Sequence, residues 1–488
     1  MPITTLQQWQ SLFTTAHWSL YSLPFMVVFI IFFAVYIQFS AQKNRGRKLW
    51  VIAFSFFFAT MINQWGVVLL PLTTIFSWYL TKQMMLIEAG KKRKYVLAIT
   101  IILELLPLAY LKYMGFTIEI VRQIFNTNFS LHAIFLPIGI SFYTFQAVSY
   151  TIDVYRKRFE STCSLLDYTF YLTFFPLLIA GPITRAEVLI PQLRRHQQAS
   201  STLIYRGLWL ILCGLVKKCV IADYLAQYNN FIFNDPLAYT GFENLMGVIG
   251  FSLQIYCDFA GYSDLAIGMA ALIGIQLKDN FRFPYQSLNL TEFWHRWHIA
   301  LSTWFRDYLY IPLGGNRRGF LRTYLNSFIV MIVAGLWHGA SWMFVIWGIM
   351  HGVGLVAHKY FYNLGLKNIK NTATISFFSW LLTFSYVTLA WIFFRAQDMN
   401  TAIAILSQIV HHFSLSSALP FLYARPLWLF IFLLCLDFLS LREHDYQWVQ
   451  IRFIRSHWIL KLLIFIFVLQ LVINISQDNV QPFIYMKF

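Results

Sequence analysis

The stretch Leu325–His358, LNSFIVMIVAGLWHGASWMFVIWGIMHGVGLVAH, decides how this chain is to be read. It contains no Asp, Glu, Lys or Arg, and its only ionisable side chains are His338, His351 and His358. A helix crosses a bilayer in about 20 apolar residues, so the stretch is too long for one span and suits a broken helix or a tight pair. Gly335, Gly339 and Ser341 surround His338, which puts the break there. If Arg322 marks an interface, sixteen helical residues at about 1.5 Å each place His338 roughly 24 Å below it. An ionisable group at that depth is expensive and generally faces a wet cavity in which it does work. The plain alternative is a packed histidine that hydrogen-bonds a neighbouring carbonyl, and the stretch alone does not separate the two.

Working outward, 58% of the 488 residues are hydrophobic and only 12% are charged. A soluble domain carries about 25% charged residues. The expectation is therefore an all-α polytopic membrane protein. Apolar segments recur from near residue 20 to near residue 475, so residues 1–488 are read as one integral membrane domain. The net charge of +17 lies in short runs beside apolar segments: Lys43, Arg45, Arg47 and Lys48; Lys91 to Lys94; Arg156 to Arg158; Arg194 and Arg195; Lys217 and Lys218. That placement is the positive-inside pattern, with attraction to anionic lipid, and it argues against nucleic acid. Some of these cations could also meet the phosphates of a cytoplasmic cosubstrate. The five cysteines show no paired spacing and read as small core hydrophobes. The first nineteen residues lack a basic leader, so Tyr21–Phe39 is read as a retained span and not a cleaved signal.

Further spans are expected at Leu49–Asn63, Gly66–Met85, Tyr95–Tyr113, about Phe135–Tyr155, Leu203–Ala222, Phe242–Leu277, Ser376–Phe394, Pro426–Leu439 and Trp458–Ile475. With the central stretch and a segment broken by Pro176 and Gly181-Pro182, the count is about eleven to thirteen transmembrane or re-entrant helices. Asp258 and Asp264 flank Gly261 inside apolar sequence, so they line a cavity or pair with a cation such as Arg306.

Thr291–Leu313, TEFWHRWHIALSTWFRDYLYIPL, reads as one amphipathic helix. Thr291, His295, His298 and Ser302 then form a polar stripe, with Trp294, Trp297 and Trp304 beside or opposite it. Glu292 and Arg296 are spaced to pair, and Asn289 or Thr291 can cap the start. Such a helix lies on the membrane with its stripe in water, while His298 can still face the cavity of His338. The pairs His295/His298 and His411/His412 raise a metal site, but the several histidine boxes of the membrane di-iron desaturases are missing, and no metal is expected.

These residues carry a resemblance. CDFAGYSDLAIGMA (Cys257–Ala270), NFRFPY (Asn280–Tyr285), TEFWHRWHIALSTWFRDYLYIPLGGN (Thr291–Asn316) and GLWHGASW (Gly335–Trp342) closely resemble the membrane-bound O-acyltransferases. LPIGISFYTFQAVSYTIDVYR (Leu136–Arg156) and FFPLLIAGPITR (Phe174–Arg185) fit the bacterial alginate and peptidoglycan O-acetyltransferase membrane subunits, with teichoic acid D-alanyl transfer proteins more distant. The core of the resemblance is residues 135–355. His295 stands where relatives usually have Arg, and Ala300 where many have Ser.

The resemblance implies helices around a central tunnel in the bacterial cytoplasmic (inner) membrane. It also implies acetyl transfer from cytoplasmic acetyl-CoA, a cosubstrate and not a bound cofactor, to an extracytoplasmic polysaccharide. A separate esterase-like partner outside the cytoplasm completes such reactions, and alginate, peptidoglycan and other exopolymers stay open as acceptors. His338 maps to the family's near-invariant histidine and His298 to its second prominent polar position. His338 is the expected base, with a covalent acetyl-histidine as an alternative route, and His298 assists. Asp258, Asp264, Trp297, Ser302, Arg306, Asp307 and Trp337 are the expected tunnel or substrate contacts. The rival readings are a transporter of an envelope precursor, which should show two related halves, and a non-catalytic scaffold.

Overall fold

The computed structural model describes residues 18–39, 44–62, 66–126, 136–159, 163–195, 199–365, 372–440 and 443–475. Lys43 and most of the leader region lie outside them. Among the described residues every regular element is helical, as the composition predicts. The chain divides into two compact units, Met1–Ile211 with Tyr262–Lys278, and Leu212–Gly261 with Asp279–Phe488.

The first unit opens with α1 (Leu23–Tyr36), α2 (Asn44–Ile62), α3 (Leu69–Leu86) and α4 (Lys91–Leu108). It continues through α5 (Met114–Phe125), α6 (Ile140–Tyr155), α7 (Leu165–Thr173) and α8 (Ala186–Arg194). A π turn at Ala109–Tyr113 joins α4 to α5, so the apolar rod runs over Lys91–Phe125, 35 residues, well past the expected Tyr113. After α7 the chain cannot stay helical, because Pro176 lacks an amide hydrogen and Gly181 sits at φ +117°. Glu104 of α4 went unremarked in the sequence reading. It is buried, and its Oε1 accepts from Ser77 Oγ at 2.5 Å and Thr151 Oγ1 at 2.7 Å. Tyr168 OH lies 2.7 Å from the same Ser77 hydroxyl. Lys48, read as a topology charge, reaches Asp167 at 2.5 Å.

Helices α9 (Ser201–Leu215), α10 (Asp223–Asn234) and α11 (Gly241–Leu272) lead on, with a π turn at Val216–Ala222 between the first two. The second unit holds α12 (Leu290–Arg296), α13 (Ile299–Phe305), α14 (Phe320–His338) and α15 (Trp342–Leu364). It ends with α16 (Ala373–Arg395), α17 (Met399–His411), α18 (Ala418–Ala424), α19 (Pro426–Ser440), α20 (Glu443–Arg455) and α21 (Trp458–Ile475).

Not every expected span is one long apolar helix. Among the described residues four helices are individually long and apolar enough to cross a bilayer: Lys91–Phe125, Phe320–His338, Ala373–Arg395 and Trp458–Ile475. A fifth candidate is the pair Met399–His411 and Leu415–Ala424, bent by 99°. The other segments are shorter or more polar for a physical reason. Helices packed against protein need not be uniformly apolar, and α6 buries Thr144, Gln146, Ser149, Thr151 and Asp153.

In the central stretch the break falls where the glycines put it. α14 ends at His338, Gly339 is extended, and the Ser341 hydroxyl caps α15 by accepting from Met343 N–H. The two arms lie backbone to backbone. A methyl group at Gly335 would meet Phe344 O at 2.2 Å, and one at Gly348 would meet Met331 O at 2.5 Å. Gly348→Val is therefore expected to destabilise the protein by about 1–3 kcal/mol, the cost of overpacking. Gly115→Ala, which meets nothing within 4 Å, should not. Thermal unfolding of the two detergent-solubilised variants checks this.

Candidate active site

Thr291–Leu313 is not one helix. Its start follows expectation: Asn289 Oδ1 accepts from Glu292 N–H at 2.8 Å, and Arg296 pairs with Glu292 at 2.8 Å. α12 then stops at Arg296, Trp297 is extended, and His298 adopts φ +43°, ψ +54° before α13 begins. A non-glycine residue in the left-handed region costs of order 1–3 kcal/mol and persists only where its surroundings impose it. Here the preceding segment does so. Asn280 O accepts from Ile299 N–H at 2.9 Å, Asn280 Oδ1 from Ala300 N–H at 3.2 Å, and Arg296 O from Arg282 N–H at 2.9 Å.

The turn dismantles the predicted polar stripe. His295 is exposed, His298 is fully buried, and Ser302 Oγ donates to Trp297 O at 3.3 Å, bridging the break. Asn280, which the sequence reading passed over, also decides the state of His298. Its Oδ1 already accepts from an amide, so the atom 3.2 Å from His298 Nδ1 is an acceptor. Nδ1 therefore carries the hydrogen and Nε2 keeps its lone pair. Among the described residues Nε2 has no hydrogen-bond partner.

Trp337 links the two candidate histidines. Its ring centroid lies 6.2 Å from that of His298 and 5.0 Å from that of His338. His338 is 3% exposed and also meets Trp347 at 5.0 Å and Phe394 at 5.3 Å, both edge-on. His298 rests on Phe259 at 4.6 Å. Trp297 is a core ring held by Phe281, Phe293 and Trp391.

Asp258 pairs with a cation, as expected, but with a different one. Asp258 does not pair with Arg306. It takes Lys218 at 2.6 Å, and the same ammonium reaches Asp223 at 2.7 Å. Lys218 is 1% exposed, so one of the presumed topology charges is a buried structural cation. Arg306 pairs instead with its neighbour Asp307 at 2.7 Å. Asp264 is half-buried on α11 and belongs to the other compact unit. A cavity of about 720 Å³ is lined by Asn289, Thr291, His295, Tyr310, His358 and Lys359, among others, and by neither His298 nor His338.

A sequence model described as membrane-bound O-acyltransferase family matches residues 12–397, the span that holds both histidines. The chain belongs to this family. A peptidoglycan O-acetyltransferase of Helicobacter pylori is 34% identical over 403 residues, 77% of this chain and 76% of that protein. The "Probable alginate O-acetylase AlgI" of Pseudomonas aeruginosa is 36% identical over 388 residues, 78% of this chain and 72% of that one. A teichoic acid D-alanyltransferase of Bacillus subtilis is 25% identical over 348 residues, 69% of this chain and 86% of its own length. As a membrane-bound O-acyltransferase the chain is a multi-pass membrane enzyme that transfers acyl groups.

Proposed function

We propose that this membrane-bound O-acyltransferase moves an acetyl group from cytoplasmic acetyl-CoA to a polysaccharide hydroxyl outside the cytoplasmic membrane. His338 is the base in this reading. The observation that carries it is the pair of buried imidazoles on either side of Trp337, in a matched family whose relatives are named O-acetyltransferases. A sugar hydroxyl is a weak nucleophile near neutral pH and needs a positioned base. His338, at the glycine-marked break, takes the hydroxyl proton as the oxygen adds to the thioester carbonyl, and returns it to the departing thiolate. His298, held in one tautomer by Asn280, offers Nε2 as a second acceptor for that proton.

Both imidazoles lie behind aromatic rings, so a tunnel to them opens by movement of those rings. The cavity beside α12, with Lys359 and His358 on its wall, suits the donor's phosphates. Transfer to the polymer, peptidoglycan or an alginate-like chain, runs directly or through an esterase-like partner outside the membrane.

Purified protein incubated with acetyl-labelled acetyl-CoA tests the donor. The expected result is label transfer to an added acceptor, or slow hydrolysis without one, in the wild type and not in His338→Ala. Turnover undiminished in the variant rejects His338, and no turnover of acetyl-CoA by the wild type, with acceptor and partner supplied, rejects the donor. Asn280→Ala should lower kcat about 10–100-fold, the scale of a misplaced catalytic group. Steady-state rates on folded protein measure it.

A further inference from the structure

Next to His338 lies a group of buried donors that the proton-transfer scheme does not use. Trp294, Trp347 and His351 pack in a mutual triangle, with ring centroids 5.8 Å, 5.1 Å and 4.8 Å apart. Trp294 is 9% exposed, and Trp347 and His351 are wholly buried. Among the described residues neither indole Nε1 and neither nitrogen of His351 has a hydrogen-bond partner. An indole N–H can only donate, and a neutral imidazole always carries one N–H. Three donors without acceptors in one place are costly, because each lost water on burial and gained nothing in return. Buried polar atoms are generally satisfied, so three such donors side by side suit an acceptor that arrives with the substrate.

Their position gives them a use. Trp347 touches His338 edge-on at 5.0 Å and His351 at 4.8 Å, so the donor group borders the base. Trp347 and His351 are one turn apart on α15, and Trp294 stands on α12 just before the His298 turn. All three have aromatic neighbours: Phe293 stacks on His351 and meets Trp294 edge-on at 5.7 Å, and Trp391 stacks on Trp347.

We infer that Trp294 Nε1–H, Trp347 Nε1–H and one N–H of His351 form the oxyanion-stabilising site of the acyl transfer. The inference rests on the proposed role of His338. When the hydroxyl oxygen adds to the thioester carbonyl carbon, a C–O bond forms and the carbonyl π pair moves onto the oxygen. The hydroxyl proton passes to His338. The three donors meet the new negative oxygen, which no ground-state acceptor satisfies as well. When the carbonyl re-forms, the C–S bond breaks, its pair leaves with sulfur, and His338 returns the proton to give the thiol. No oxidant or reductant enters. Preorganised donors in a dry site are the arrangement that stabilises such an oxygen most.

The test compares acetyl-CoA with its dithioester analogue, in which the acyl C=O is C=S, on the full-length wild type and on Trp347→Phe. Thiocarbonyl sulfur accepts hydrogen bonds poorly, so only an oxyanion site feels the exchange. Removing one donor of such a site lowers kcat about 10²–10³-fold. Trp347→Phe is expected to show that loss on acetyl-CoA with KM little changed, and a much smaller loss on the dithioester. His351→Gln, which keeps an N–H, should retain more activity than His351→Leu. An equal loss on both donors, or none, overturns the inference. If Trp347→Phe fails to fold, Trp294→Phe at the edge of the triangle carries the same comparison. A wild type that turns over neither donor overturns the acetyl-CoA reading itself, a distinct outcome.

Discussion

His338→Ala is expected to reduce acetyl transfer by at least 10²–10⁴-fold, the range that a positioned general base contributes, while the protein still inserts and folds. The side chain ends α14 and packs against the rings of Trp337, Trp347 and Phe394. Truncation therefore costs packing against those rings. His298→Asn makes the companion. Asparagine tolerates the left-handed conformation at φ +43°, so this variant keeps the turn between α12 and α13 and removes only the imidazole. A smaller loss than that of His338→Ala, with unfolding temperature unchanged, assigns His298 the assisting role. Polymer acetylation that persists at the wild-type level in His338→Ala removes the base from the scheme.

The second large effect concerns stability. Lys218→Met should destabilise the protein by about 3–5 kcal/mol, because removing one partner of a buried ion pair leaves the other charges uncompensated. Two carboxylates, Asp223 and Asp258, share that ammonium at 2.7 Å and 2.6 Å. The double variant Lys218→Met with Asp258→Asn should recover part of the loss, since it buries one charge fewer. Calorimetry or a thiol-reactive unfolding assay in detergent reads the difference. Equal unfolding temperatures for Lys218→Met and the wild type would show that the cation contributes nothing to the fold.

How far the sequence could be read depended on whether a feature was local. The break at His338 was legible because glycine and serine mark it directly and no charge interrupts the arms. The cap at Asn289 and the Glu292–Arg296 pair were legible for the same reason, being three- and four-residue relations. The turn at His298 was not. No glycine or proline announces it, helical spacing runs straight through it, and the hydrogen bonds that impose it come from Asn280 and Arg282, well upstream. Lys218 was misread because a lysine beside Lys217 near the end of an apolar segment matches a topology signal, whereas its partner Asp258 lies forty residues away in sequence. The unpartnered indoles of Trp294 and Trp347 had no signature at all, since tryptophan in a membrane segment reads as apolar bulk.

Glu104 bears on how the molecule is made. A carboxylate in an apolar helix resists entry into lipid alone, at roughly 2.5–3.5 kcal/mol on translocon-derived scales. Among the described residues its Oε1 is met by hydroxyls from other segments, Ser77 and Thr151 directly and Tyr168 through Ser77. Two of those segments are synthesised after it. Stable integration of α4 is thus expected to wait until α6 and α7 have left the ribosome, making assembly of this region concerted where a purely apolar hairpin could insert stepwise.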